Sequence, residues 1–407
     1  MNMFFRITLD YDTLANEIVG KIPEKHFVSK TDTFLDPGFA GGQLLKAVAK
    51  RLNKYGHSVE NIRSRLFGYE DSIAYLNHPA NYSTAMIANL SVVKYQEFLD
   101  MSKVEFDVVL GNPPYESATA DGRKDQANNL WSKFTKKAFE IVKKDGTVAF
   151  VTPTSWLSPA ADIGKGEKGI RFIRDYFQKL SVLYMNINEC AKHFSVGSTF
   201  SYFVVKNTET TSCKTEILTD ETSYTIDLRD IEYFPKTMNK LAISINKKTL
   251  ECKNKFGFIG NNLPESKIEF LKEKTNEHIV PAYHTAAKGG TYWYAKENIS
   301  THSRKKVVVS ISGEFIPVYD NIGELNFTNM CIVYYLNTGD NMESIKSFLE
   351  SKLIKFLMTQ NKYTGWVAPI THDLPIIDKT KVWTDEELYA HFNLTQEEID
   401  YIEANVK

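Results

Sequence analysis

The chain has 407 residues, 43% of them hydrophobic, with a formal net charge of −1, long enough for two cores but too balanced to coat a polyanion uniformly, so any nucleic-acid contact must come from local basic clusters. Cys190, Cys213, Cys252 and Cys331 are scattered without C-x-x-C spacing, which argues against a zinc site and a disulfide framework and fits reduced, small core residues. No apolar run reaches membrane-spanning length and the opening MNMFFRITLDYD lacks the layout of a secretory leader, so a soluble, cytoplasmic protein without membrane contact is expected.

In chain order, TLANEIV over Thr13–Val19 predicts a short amphipathic helix with Asp10 or Asp12 near its start. Thr33-Phe34-Leu35 reads as a strand ending at Asp36, followed by the loop Pro37-Gly38-Phe39-Ala40-Gly41-Gly42 and a helix whose apolar residues are Leu44, Leu45, Val48 and Leu52. Glycines let the backbone approach a ligand closely, the helix start offers N–H groups, and open α/β sheets bind ligands at the carboxyl ends of their strands. A plain strand-to-helix turn is the alternative. Arg65–Glu70 reads as a second strand with an acid at its tip, where a carboxylate can accept both hydroxyls of a ribose. Glu70 or Asp71 capping the next helix is the competing reading. Val92–Leu99 reads as a third strand running into the turn Glu97-Phe98.

The most informative stretch is FDVVLGNPPYES, Phe106–Ser117. A buried strand over Val108–Leu110 stops at Gly111-Asn112-Pro113-Pro114-Tyr115. Two prolines fix φ and donate no N–H, so oxygens of Asn112 and Pro113 are held outward without a competing donor. Two acceptors beside an aromatic face suit an exocyclic amino group on a flat ring.

A long polar loop is expected after Tyr115, then a helix with Leu130, Trp131, Phe134, Ala138 and Ile141 on one face. A strand follows at Thr147–Val151, then a helix at Gly169–Leu180, a strand at Val182–Ile187 and the segment CAKHFSVGSTFSYFVVKN. From Thr33 to Lys206 strands and helices alternate, which predicts an α/β, mostly parallel, seven-stranded doubly wound sheet. From about Asn207 the alternation is lost. Lys236, Lys240, Lys247, Lys248, Lys253 and Lys255, together with HSRKK at His302–Lys306, form basic clusters that could straddle a phosphate backbone or simply be solvated surface. Capping boxes at Thr384/Glu387 and Thr395/Glu398 mark two short C-terminal helices.

Asn-Pro-Pro-Tyr after a buried strand resembles the catalytic motif of S-adenosylmethionine-dependent N6-adenine DNA methyltransferases, and the motif order resembles the gamma-type modification methylases of the TaqI/Eco57I kind. The resemblance implies a Rossmann-like methyltransferase domain at 1–207 and a mixed α+β DNA target-recognition domain with C-terminal helices at 208–407. It implies catalytic roles for Asn112, Pro113, Pro114, Tyr115 and Phe194, with Tyr115 and Phe194 sandwiching a flipped adenine. It implies S-adenosylmethionine contacts from Asp36, Pro37, Gly38, Phe39, Gly41, Gly42, Glu70, Asp71, Glu97 and Phe98, and a helix near Asp10, Tyr11 and Asp12 closing over the methionine end. Ala40 stands where the family pattern has glycine, and Glu97 is one methylene longer than the usual Asp. The implied partner is double-stranded DNA, bound by a monomer. With no metal-dependent nuclease constellation in the sequence, any restriction endonuclease is expected on a separate chain. The alternatives are an N-methyltransferase acting on RNA adenine, cytosine N4 or protein glutamine, or a non-catalytic DNA-specificity subunit.

Overall fold

In the computed structural model, residues 11–70, 89–102, 104–118, 124–157, 172–187, 189–194, 199–219, 221–229, 231–260, 269–299, 302–362 and 367–406 are described. They divide into two compact units, the first running to Asp230 and the second from Ile231 onward together with 157–163.

The first unit begins with helices α1 (Tyr11–Lys21) and α2 (Lys25–Val28), then β1 (Phe34–Asp36), α3 (Gln43–Lys54), α4 (Val59–Arg65), β2 (Leu66–Glu70) and β3 (Asn89–Val92). It continues with α5 (Tyr95–Asp100), β4 (Phe106–Gly111), α6 (Leu130–Ile141), β5 (Val142–Pro153), α7 (Phe172–Lys179), β6 (Leu180–Ile187), β7 (Phe200–Glu209), β8 (Thr215–Thr219) and β9 (Thr222–Ile226). The strands form one nine-stranded sheet in the order β9-β8-β6-β7-β5-β4-β1-β2-β3. β1 pairs in parallel with both β2 and β4, and β4 with β5, whereas β7 runs antiparallel between β5 and β6.

Alternation along β4 and β5 explains the layers. Val108, Leu110, Ala149 and Val151 pack in one core with Leu14, Ile18, Leu45 and Val48 of α1 and α3. On the other face Phe98 and Phe134 stack at 4.8 Å, and Phe177 meets Phe203 at 5.0 Å. The fold is therefore Rossmann-like, with helices on both faces.

Three sequence expectations change. The sheet has two strands more than the expected seven, because β8 pairs in parallel with β6 and β9 returns antiparallel along β8. Both added strands belong to the first unit. The third strand lies at Asn89–Val92, and Tyr95–Asp100 is helix, started where the Glu97 carboxylate accepts the Lys94 N–H at 2.9 Å. After Tyr115, Glu116–Ala118 pairs antiparallel with Lys124–Asn129, where an irregular loop was expected.

The second unit has two three-stranded sheets and its own core, in which Ile332 and Val307 of one sheet pack with Ile245, Phe256, Phe348, Leu357 and Leu388. Both expected capping boxes form: Thr384 accepts the Glu387 N–H at 3.2 Å and Thr395 accepts the Glu398 N–H at 3.3 Å. Among the described residues no helix is long and apolar enough to cross a membrane.

Candidate active site

The candidate site lies where β1, β2 and β4, neighbours in the sheet, end side by side. At the tip of β1 the Asp36 carboxylate accepts the Gly38 N–H at 3.0 Å, which folds Pro37 and Gly38 into a tight turn. The loop is then tied to β2 twice: Phe39 N–H bonds the Tyr69 carbonyl at 3.0 Å and Ala40 N–H bonds Glu70 Oε2 at 2.8 Å. Gly42 closes the loop with φ of 72°, the left-handed conformation that glycine adopts without steric cost, and α3 starts directly after it. Ala40 takes φ of 45° at the position where glycine was expected, so the chain adopts the turn in spite of its Cβ.

At the tip of β4, Pro113 and Pro114 are buried while Asn112 and Tyr115 are half-buried. The Tyr115 hydroxyl donates to Asn112 Oδ1 at 2.5 Å. The two tips touch through Gly111: a Cβ built there would lie 3.3 Å from Asp36 Oδ1, 3.3 Å from Phe150 Cε1 and 3.5 Å from Pro37 Cδ. The ends of β1 and β4, from which the glycine and proline loops depart, are therefore adjacent, and a side chain at Gly111 would crowd Asp36 and Pro37.

The aromatic side of the site contains a residue the sequence reading passed over. Phe194 lies 4.5 Å from Phe200, and Phe200 lies 5.4 Å from Tyr115, measured between ring centroids. Phe200, the first residue of β7, is 3% exposed and supports both rings expected to hold the base. The signal available was its place at the start of a strand in FSYFVVK, six residues after Phe194.

The other expected residues separate into groups. Asp36, Pro37, Gly38, Gly41, Gly42 and Glu70 gather at the glycine loop, with Glu70 only 1% exposed. Phe39 is a core residue, packed with α1 and α3. Phe98 is likewise buried, against Phe134 at 4.8 Å and Tyr69 at 6.5 Å, and the exposed Glu97 caps α5 through Lys94. Asp71 and Asp10 lie outside the described residues. Asp12, in the first turn of α1, pairs with Lys46 of α3 at 3.3 Å. Among the described residues no group of His, Cys, Asp and Glu is arranged to hold a metal ion.

The basic clusters of the second unit are partly consumed internally. Lys306 is fully buried, paired with Asp320 and donating to the carbonyls of His302 and Arg304. Lys248 pairs with Glu398 at 2.7 Å, and Lys255 donates to the Leu250 carbonyl at 2.6 Å. Lys236 is half-buried, and its pKa is lowered by burial and by nearby Lys362. Lys240, Lys247, Lys253, Arg304 and Lys305 are exposed.

Comparison with known families places this geometry. Residues 42–180 match the Eco57I restriction-modification methylase family. The match spans the start of α3 through the start of β6 and so takes in the proline loop. The chain also resembles solved structures over most of its length. The ATP-dependent type ISP restriction-modification enzyme LlaBIII bound to DNA aligns with a TM-score of 0.54 and 10% identity, over 92% of this chain and 39% of that one. The DrdV–DNA complex aligns with a TM-score of 0.50 and 13% identity, over 92% of this chain and 56% of that one. At such identities the likeness concerns the fold, and this chain spans about half or less of the length of those enzymes. No curated protein matches the chain.

Proposed function

We propose that this chain is a site-specific DNA methyltransferase that flips an adenine out of the duplex and methylates its N6 amino group from S-adenosylmethionine. The observation that carries the reading is the contact at Gly111, which sets a polar loop suited to an amino group against a glycine loop suited to a nucleoside cofactor.

The donor set fits such a cofactor. The acid at the tip of β2 and the tight turn after β1 face the same edge, and the loop N–H of Ala40 orients the Glu70 carboxylate. A carboxylate accepts about four hydrogen bonds, so the bond from Ala40 does not by itself use up the Glu70 oxygens. Asp36, Gly38, Gly41, Gly42 and Glu70 are the residues that would hold it. When bound, S-adenosylmethionine supplies an electrophilic methyl group on a good leaving group.

The chain's own residues then align the nucleophile. Adenine's amino lone pair is delocalised into the ring, and acceptors on its two hydrogens, the Asn112 carboxamide and the Pro113 carbonyl, favour the pyramidal nitrogen that can attack. Pro114 has no N–H to compete for those oxygens. The nitrogen sheds a proton once alkylated, so no strong base is required, and the enzyme's contribution is orientation and electrostatics. Extruding a base costs a few kcal/mol, and stacking on Tyr115 and Phe194, backed by Phe200, returns about 1 to 3 kcal/mol. The second unit, with its exposed basic residues, is the candidate for target recognition.

Modification-sensitive sequencing of DNA from cells expressing the protein tests this. The expected result is N6-methyladenine at one recurring sequence, lost with Asn112→Ala. Absence of the mark from wild-type cells, or its persistence with Asn112→Ala, contradicts the reading.

A further inference from the structure

The Tyr115 hydroxyl donates to Asn112 Oδ1 at 2.5 Å. That oxygen is the acceptor assigned above to one hydrogen of the target's amino group. We propose that the Tyr115 hydroxyl is a stand-in donor: it holds the Asn112 carboxamide turned toward the site, and an incoming amino N–H must displace it.

Three features carry the inference, which rests on the function proposed above. The bond closes within a four-residue loop whose middle positions are Pro113 and Pro114, both buried and with φ fixed by their rings, so rotation of the two side chains is the direct way to break it. The Tyr115 ring is backed by Phe200 at 5.4 Å, which limits where that rotation can go. Asn112 is half-buried, where an amide oxygen without a donor is costly, so holding one before the base arrives keeps the oxygen satisfied. Tyr115 thus has two parts with opposite effects on binding. Its ring favours any planar base by stacking, whereas its hydroxyl competes with the amino group of the target.

The consequence is a specificity effect separable from stacking. Removing the hydroxyl while keeping the ring strengthens binding only for a target that offers an amino group. A double-mutant cycle tests it, pairing wild type and Tyr115→Phe with duplexes that carry, at the methylated position, either adenine or purine, the same base without its amino group. Dissociation constants are measured with S-adenosylhomocysteine present. Tyr115→Phe is expected to bind the adenine duplex about two- to tenfold more tightly than wild type, the worth of one hydrogen bond, and the purine duplex equally. Equal effects on both duplexes, or weaker binding of adenine by Tyr115→Phe, overturn the proposal, the first assigning the hydroxyl a merely structural role. Asn112→Ala separates this from failure of the functional reading. If that variant still discriminates adenine from purine as wild type does, Asn112 is not the amino acceptor and the functional reading fails. If Asn112→Ala loses the discrimination while Tyr115→Phe shows no selective gain, only the stand-in role is refuted.

Discussion

The two edges of the nine-stranded sheet handle their polar groups differently. At the amino edge the bonds stitch distant segments together. His26 Nδ1 donates to Asp32 at 2.6 Å and its Nε2 accepts from Thr147 at 3.0 Å, joining α2 to the β1 entry and to β5. Asp107 accepts the Thr33 N–H at 2.9 Å and Lys143 at 2.9 Å, and Arg65 donates to the carbonyls of Asp32 and His26. Burial opposes the charge on Asp107, but the bonds from Lys143 and Thr33 outweigh it and hold its carboxyl below the usual range. Gly146 marks the tightest point, since a Cβ there would lie 2.7 Å from the Asp107 carbonyl. At the carboxyl edge Asp36 bonds two residues ahead, Asn112 bonds three residues ahead, and Glu70 reaches the adjoining loop. One edge is cross-linked for stability, while the other shapes loops, and ligand chemistry in open α/β sheets belongs to the second.

That contrast can be broken by mutation. Asn112→Ala is expected to have the largest effect, a fall of about 10² to 10³ in single-turnover methyl transfer, the usual cost of losing one oriented polar group. Its melting temperature and cofactor affinity should stay near wild type; a folding defect of matching size would erase the distinction between the edges. Glu70→Ala should raise the cofactor dissociation constant about 10- to 100-fold by calorimetry, as expected for a charge-assisted bond. Unchanged affinity removes Glu70 from the site. His26→Ala should do the reverse, destabilising the fold by about 2 kcal/mol in denaturant titration while leaving cofactor affinity intact.

Acid sharpens the comparison further. Burial lowers the pKa of His26 from its ordinary 6.5, the Asp32 bond only partly opposing it. In the second unit burial, and then the charge of Lys306, push His302 down to about 4. Its ring stacks on Phe327 at 3.8 Å and its Nδ1 accepts the Phe327 N–H at 3.4 Å, a bond only the unprotonated nitrogen can make. Below about pH 6.5 the unfolded chain binds protons that the folded imidazoles refuse, so stability falls as pH drops and the effect vanishes above that range. For His302 the loss runs from about 6.5 to about 4. Replacing each histidine by glutamine should flatten the corresponding part of a stability-versus-pH curve, and an unchanged slope would exclude it as the source. The smallest effect is expected at Ala40, where glycine should relieve the left-handed strain at φ of 45° and stabilise the fold by no more than about 1 kcal/mol.

Much of this was legible in the sequence because the signals are local. The apolar run within Phe106–Gly111, the glycine loop after Asp36 and the capping boxes at Thr384 and Thr395 each act over a few residues. What was missed depends on distant partners. The β8–β9 extension is defined by pairing with β6 some thirty residues earlier, and nothing in TEILT alone says which sheet it joins. Lys306 reads as a surface cation beside Arg304 and Lys305, yet Asp320 on a neighbouring strand draws it inside. Val92–Leu99 reads as a strand in the sequence, but the Glu97 carboxylate on the Lys94 N–H starts a helix there. Phe200 matters only because β7 sets it against both Tyr115 and Phe194.

Whether the adjacent ends of β1 and β4 form one site for an adenine and a methyl donor is decided by the identity of the product. Purified protein is incubated with S-adenosylmethionine labelled in its methyl group and duplex DNA, and the DNA is digested to nucleosides and separated. Label is expected in N6-methyladenine and, with Asn112→Ala, near background. Label in N4-methylcytosine, or none in DNA under conditions where the protein binds S-adenosylmethionine, contradicts it.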